Sequence, residues 1–129
     1  MKKIIMTTNA PAAIGPYSQA VEVEGTLYIS GQLPVNPATG KIEATTVAAQ
    51  TRQSLKNIGA VLAAAGYTYD DVVKSTVYLA DMSYFAEMNE VYKTVYTQDF
   101  PARSAFAVKE LPMGALVEIE TIAVKTDLE

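Results

Sequence analysis

The pattern of apolar and polar residues in the first half of the chain predicts two short strands followed by one long helix. Two short β-like runs, residues 18–24 and 26–30, are separated by Gly25. A helical pattern follows, with Thr45 or Thr46 as its N-cap and an apolar stripe at helical spacing that reaches about residue 65. Gly66 then stands where a glycine commonly ends a helix.

The second half predicts a strand over residues 71–80 and a helix that Ser83 caps and that reaches about residue 97. Two strands follow, over about 103–110 and 115–126, and Pro112 and Gly114 between them predict the turn of a hairpin. The order β-β-α-β-α-β-β predicts an α+β fold, a mixed sheet with two helices on one face. The last strand is apolar on both faces, so we expect an oligomer.

Composition narrows the class of protein. The length of 129 residues fits a single domain over 1–129, and 50% hydrophobic residues allow an ordinary core. The net charge of −4 argues against a nucleic-acid partner. With no Cys and no His, thiol and imidazole chemistry are excluded, and no metal site is expected. The apolar run at the N-terminus is too short for a signal peptide and no run could span a membrane, so a mature cytoplasmic protein is expected.

The predicted hairpin carries the first candidate site. Arg103 and Ala105 share one face of its first strand, and Glu120 lies on the second. If Ala105 pairs with Glu120, Arg103 becomes a diagonal neighbour of Glu120, with Cα atoms roughly 7–8 Å apart. A guanidinium and a carboxylate beside a small alanine surface suit a small carboxylic acid with a hydrolysable group. A surface ion pair is the plainer interpretation, and a slip of one residue would put the two on opposite faces.

Other positions are candidates with equally plain alternatives. Asn89 falls in the aromatic stripe of the second helix and must be hydrogen-bonded there, either to tie down backbone or to serve a site. Tyr17 follows a rigid Gly-Pro pair, so its hydroxyl could be held in place or its ring could simply pack. Ser30 and Gly31 end a strand and could present backbone groups to a ligand or only serve the turn.

Six blocks of sequence resemble one known family, the reactive intermediate deaminases, also called the YjgF family or the L-PSP endoribonucleases. The blocks occur in the family's order and span about residues 10–124: residues 10–19, 30–34, 73–78, 85–92, 101–104 and 114–120. The resemblance implies a chorismate-mutase-like α+β fold and a homotrimer with three clefts between subunits. It also implies hydrolysis, without a cofactor, of small enamines and imines such as 2-aminoacrylate and 2-iminobutanoate to 2-keto acids and ammonia.

The resemblance also implies roles for individual residues. Arg103 would hold the substrate carboxylate and Glu120 would position the water or shuttle its proton. Tyr17 and Asn89 would line the cleft, and the Gly31 backbone would contact the substrate. Many family members have Cys or Thr where this chain has Ala105. That difference is harmless if the position contributes only its backbone N–H, and changes substrate preference if its side chain tunes the site.

Three functions remain to be distinguished. The leading one is a deaminase of small 2-imino acids, which fits a chain without Cys or His because water attacks an electron-poor C=N carbon without a protein nucleophile. The second is a regulatory trimer that binds a 2-keto acid without turnover. The third is an endoribonuclease, which the negative charge and the absence of His make unattractive.

Overall fold

Six strands form one mixed sheet in the computed structural model, which describes residues 1–125. They are β1 (Lys3–Ile5), β2 (Ala20–Val23), β3 (Thr26–Gln32), β4 (Val72–Leu79), β5 (Ala102–Ala107) and β6 (Val117–Val124). Their order across the sheet is β1-β2-β3-β6-β4-β5, and only β4 and β5 run parallel. The α+β prediction is therefore confirmed, with β1 as an additional edge strand. The predicted end of the last strand at residue 126 lies outside the described residues.

The two helices begin and end for different local reasons. α1 (Val47–Ala65) has the predicted caps, since the Thr46 hydroxyl accepts from the Ala49 N–H and Gly66 adopts a φ of 83°. The predicted Ser83 cap of α2 (Phe85–Val95) is wrong. Asp81 instead accepts the N–H of Ser83 and starts a 3₁₀ turn, and α2 begins only after it.

The predicted terminal hairpin is also wrong. β6 lies between β3 and β4 and pairs with both, so β5 and β6 are not neighbours. β5 pairs instead with the far side of β4, in parallel, because α2 supplies the crossover that a parallel connection needs. Pro112 does lie in a turn, but that turn leads from one edge of the sheet back to its centre.

The helices cover one face of the sheet and leave the other exposed. The inner face packs against the helices and is closed, with Leu27, Val77 and Ile119 each 0% exposed. The outer face carries the alternate residues and has no helix over it, so Tyr28 and Phe106 are exposed and Ile122 is half-buried. Within residues 1–125, neither helix has the length and hydropathy that crossing a membrane requires.

Candidate active site

Arg103 lies at the sheet edge, on the inner face and under α2. It belongs to β5 and pairs with Ser75 of β4, whose side chain is fully buried. Its guanidinium carbon is 4.7 Å from the centre of the Tyr92 ring and 5.4 Å from that of Phe85. Nη1 donates a hydrogen bond of 2.7 Å to Oδ1 of Asn89. Two aromatic rings and one amide thus fix the orientation of a half-buried cation.

The charge of Arg103 has no counter-ion in the described part of the chain. The salt bridge found there joins Lys93 to Glu90 on the surface of α2, and no carboxylate within residues 1–125 approaches Arg103 to 4 Å. Asn89 uses one of the five guanidinium donors, so the rest are available to a ligand. The sequence argument that Asn89 must be hydrogen-bonded is confirmed, and its partner is a side chain and not backbone.

Glu120 belongs to a second cluster, on the outer face. On β6 it lies opposite Thr76 of β4, and the Tyr78 hydroxyl donates a hydrogen bond to its Oε1. Glu118, two residues earlier on the same face, is half-buried. Burial, and then the nearby Glu120 charge, raise the pKa of Glu118 above its usual value. The cluster brings together two carboxylates and a phenol, which are groups that can exchange protons with bound water.

Gly31 borders this acidic cluster. A Cβ at this position would lie 2.5 Å from Oε2 of Glu118, so any larger residue would displace that carboxylate. The backbone of Gly31 therefore approaches the Glu118 carboxylate closely, at a place where the pairing of β3 with β6 is irregular. This reason differs from the turn role that the sequence alone suggested for Gly31.

Tyr17 and Ser30 lie on the chain segments that border Gly31. The Ser30 hydroxyl donates to the carbonyl of Ser18, and the Ser30 N–H donates to the carbonyl of Gln19. These bonds anchor the segment that carries Tyr17 next to the end of β3. Tyr17 itself is 54% exposed, so its ring does not pack into the core of this chain.

The two clusters do not share a cleft within one chain. The predicted pairing of Ala105 with Glu120 is wrong, because Ala105 pairs with Val77 and Glu120 with Thr76. Arg103 and Glu120 therefore project from opposite faces, on strands two spacings or roughly 10 Å apart. Ala105 does lie beside Arg103 on the inner face, where it packs against the core.

Two surface hollows of the described chain lie away from these clusters. One of about 290 Å³ is lined by residues around the end of α2, including Tyr96 and Pro101, and one of about 150 Å³ lies along α1, near Arg52 and Lys56. Neither contains the candidate residues. Residues 1–125 also hold no group of three or more acidic side chains placed to bind a metal ion.

Sequence reasoning missed Tyr78, Tyr92 and Glu118 as parts of these clusters. The alternation of polar residues on β6 did place Glu118 beside Glu120. The contact of Tyr78 with Glu120 depends on β4 lying next to β6, and the local pattern carries no signal for that neighbour.

The fold and the two clusters define a class of protein. It is a small α+β domain whose sheet carries, within residues 1–125, a guanidinium without a carboxylate partner on one face and a pair of carboxylates on the other. Comparison with known proteins then identifies the family. The family model "Endoribonuclease L-PSP" matches residues 7–125, and the chain belongs to that family. The expected resemblance is thereby confirmed.

Individual relatives agree along nearly the whole chain. The chain is 52% identical to 2-iminobutanoate/2-iminopropanoate deaminase of Mus musculus, over 97% of this chain and 93% of the relative. It is 49% identical to the protein of the same name from Escherichia coli, over 97% of this chain and 99% of the relative. Among solved structures, E. coli TdcF with bound serine superposes with a TM-score of 0.92 at 45% identity, covering 96% of this chain and 99% of that one.

Proposed function

We propose that the protein is a hydrolytic deaminase that converts enamines and imines of small 2-amino acids, such as 2-aminoacrylate and 2-iminobutanoate, to 2-keto acids and ammonia. The observation that carries the proposal is Arg103, a half-buried cation with donors free and no carboxylate partner within residues 1–125. The names of relatives about 50% identical to the chain support the same reaction, and bound serine in TdcF supports a small amino-acid-like ligand.

The substrate carboxylate would bind to Arg103 through paired hydrogen bonds, which Asn89, Tyr92 and Phe85 orient. Water would then add to the C=N carbon, with Glu120 accepting its proton and returning it to the leaving nitrogen. An enamine first tautomerises to the imine, and the carbinolamine formed by water loses ammonia to leave the keto acid. This chemistry needs no metal, cofactor or protein nucleophile.

The site would be completed by assembly. Arg103 and Glu120 lie on opposite faces of one sheet, so a single chain cannot present both to one small molecule. A homotrimer with clefts between subunits would bring Arg103 of one copy to Glu120, Tyr17 and Gly31 of the next. Its support is the uncovered outer face, where Tyr28 and Phe106 are exposed. Light scattering gives the mass of the assembly and tests this expectation directly.

The reaction is tested with 2-aminoacrylate that a serine dehydratase generates in the assay, followed by keto-acid release. Replacing Arg103 with Ala is expected to lower kcat/KM by about 100-fold or more, since a charged hydrogen-bonded pair is lost. Arg52→Ala, at an exposed arginine of α1, is the matched control and is expected to retain activity. Acceleration by Arg103→Ala equal to that of the parent would contradict the assignment.

Mixed assemblies test the shared cleft. Co-expressed Arg103→Ala and Glu120→Gln chains should regain activity that neither has alone, because about one quarter of the clefts would combine an intact Arg103 with an intact Glu120. If both residues acted within one chain, mixing would restore nothing.

The other functions predict different outcomes. If the protein is a regulatory trimer, a bound 2-keto acid should raise the melting temperature of the protein, and no deamination should be detected. RNA cleavage by purified protein that disappears with Arg103→Ala would instead favour an endoribonuclease. A cytoplasmic location stays a prediction from the sequence.

A further inference from the structure

Tyr78 contacts Glu120, the group proposed to transfer the proton. It stands opposite Glu118 in the pairing of β4 with β6, and its hydroxyl reaches diagonally to Oε1 of Glu120. Its ring packs edge-on against Phe106 of β5, with centroids 5.5 Å apart. The phenol is thus held by a neighbouring ring while its O–H points at one carboxylate oxygen.

This contact has a chemical consequence for Glu120. The donor restricts the rotation of the Glu120 carboxylate, because it holds Oε1 and leaves Oε2 available to water. The same bond, together with burial and the two nearby carboxylates, raises the pKa of Tyr78 to about 12, so the phenol stays a donor at neutral pH.

We propose that Tyr78 is a positioning residue that holds the Glu120 carboxylate in the orientation in which it accepts the proton from the attacking water. The role rests on the proposed deaminase function and adds to it a residue that acts only through Glu120. No atom of Tyr78 needs to touch the substrate.

Other ionisable groups lie on the outer face near Glu120. Glu118 is two residues away on β6, and Lys74 on β4 stands opposite Ile122. Tyr28 on β3 also stands opposite Ile122, and no side-chain hydrogen bond of Tyr28 occurs within the described chain. Among these groups, Tyr78 is the one that donates a hydrogen bond to Glu120. Removing its hydroxyl should therefore release the Glu120 carboxylate and leave the other groups in place.

Tyr78→Phe separates positioning from packing, because the ring and its contact with Phe106 remain. We expect kcat to fall by about tenfold with KM nearly unchanged, as for loss of a hydrogen bond to a charged group. Tyr67→Phe is the matched control, because it also removes a phenol–carboxylate hydrogen bond, that of Tyr67 to Glu22, away from the candidate residues, and it should change neither quantity.

A readout independent of turnover keeps this proposal separate from the deaminase assignment. Crystal structures of the assembled parent and of Tyr78→Phe should show one fixed orientation of the Glu120 carboxylate in the parent and a rotated or alternate orientation in the variant. If the parent does not deaminate, the proposed function fails while this comparison still reports on the contact. An unchanged Glu120 orientation, or an unchanged kcat in an active enzyme, would overturn the positioning role.

Discussion

The inner and outer faces of the sheet are made from the same strands but perform different tasks. On the inner face, alternate residues of β4 and β6 are fully buried under α1 and α2, and Arg103 at its edge is oriented by two rings and an amide. The outer face leaves apolar rings exposed and holds two carboxylates close together. The comparison teaches that one face stabilises the chain by itself, whereas the other leaves exposed the rings and carboxylates that the proposed assembly and reaction would use.

Two isoleucines of β6, Ile119 on the inner face and Ile122 on the outer face, give the strongest test of this difference. Ile119→Ala on the inner face should lower the free energy of unfolding by about 2–5 kcal/mol, because it leaves a cavity in a closed core. Ile122→Ala on the outer face removes the same atoms from a half-buried position. It should mainly weaken assembly, which makes its effect on unfolding depend on protein concentration.

Denaturant unfolding at several protein concentrations measures both isoleucine effects. Equal, concentration-independent losses for the two variants would mean that the outer face is not an interface. A small loss for Ile119→Ala would contradict the closed inner core.

Asn89→Asp tests whether the free donors of Arg103 bind the substrate. The new carboxylate would lie where Asn89 Oδ1 now lies, 2.7 Å from the guanidinium, and would pair with it. We expect folding to be retained and KM for a small imino acid to rise about tenfold or more, because an internal carboxylate competes with that of the substrate. Asn89→Ala, which adds no charge, should raise KM less. An unchanged KM in Asn89→Asp would refute binding of the substrate carboxylate at Arg103.

Glu118→Gln gives the smallest effect and concerns the outer face alone. Burial and the Glu120 charge raise the pKa of Glu118 above its ordinary 4.5, so the folded state holds that proton more tightly than the unfolded state does. The stability linked to this proton is present below the ordinary pKa and is lost as pH rises through the folded value. Glu118→Gln should therefore raise the melting temperature at neutral pH and lose this advantage in acid.

Exposed Glu110→Gln is the control for this pH dependence and should show no comparable change. A stabilisation by Glu118→Gln that persisted unchanged in acid would show that its cause is not the ionised carboxyl.

Local patterns predicted the parts of the fold that local physics decides. The apolar stripe, Thr46 and Gly66 located α1 because caps and periodicity act within a few residues. α2 was placed slightly early because Asp81 competes with Ser83 for the start of the turn. The order of strands depends on pairing between distant segments, and both a hairpin and a crossover satisfy the same apolar alternation.

Individual candidate residues could be proposed from the sequence, but their arrangement could not. Arg103 and Asn89 meet because α2 crosses over β5, and an unexplained amide in an aromatic stripe was the signal for that contact. The supposed pairing of Arg103 with Glu120 failed because β6 inserts beside β4, which turns the two side chains to opposite sides of the sheet. On the proposed assembly the two walls of the cleft come from different copies, and residue spacing within one chain carries no signal for such a contact.

The placement of Arg103 and Glu120 on opposite sides of the sheet has a consequence for newly made protein. On the proposed assembly, each polypeptide emerges with two incomplete half-sites, so a perfectly folded monomer is catalytically silent. Turnover per chain would then fall on dilution below the concentration at which the subunits dissociate, and catalytic output would respond steeply, rather than in simple proportion, to how much of the protein a cell makes.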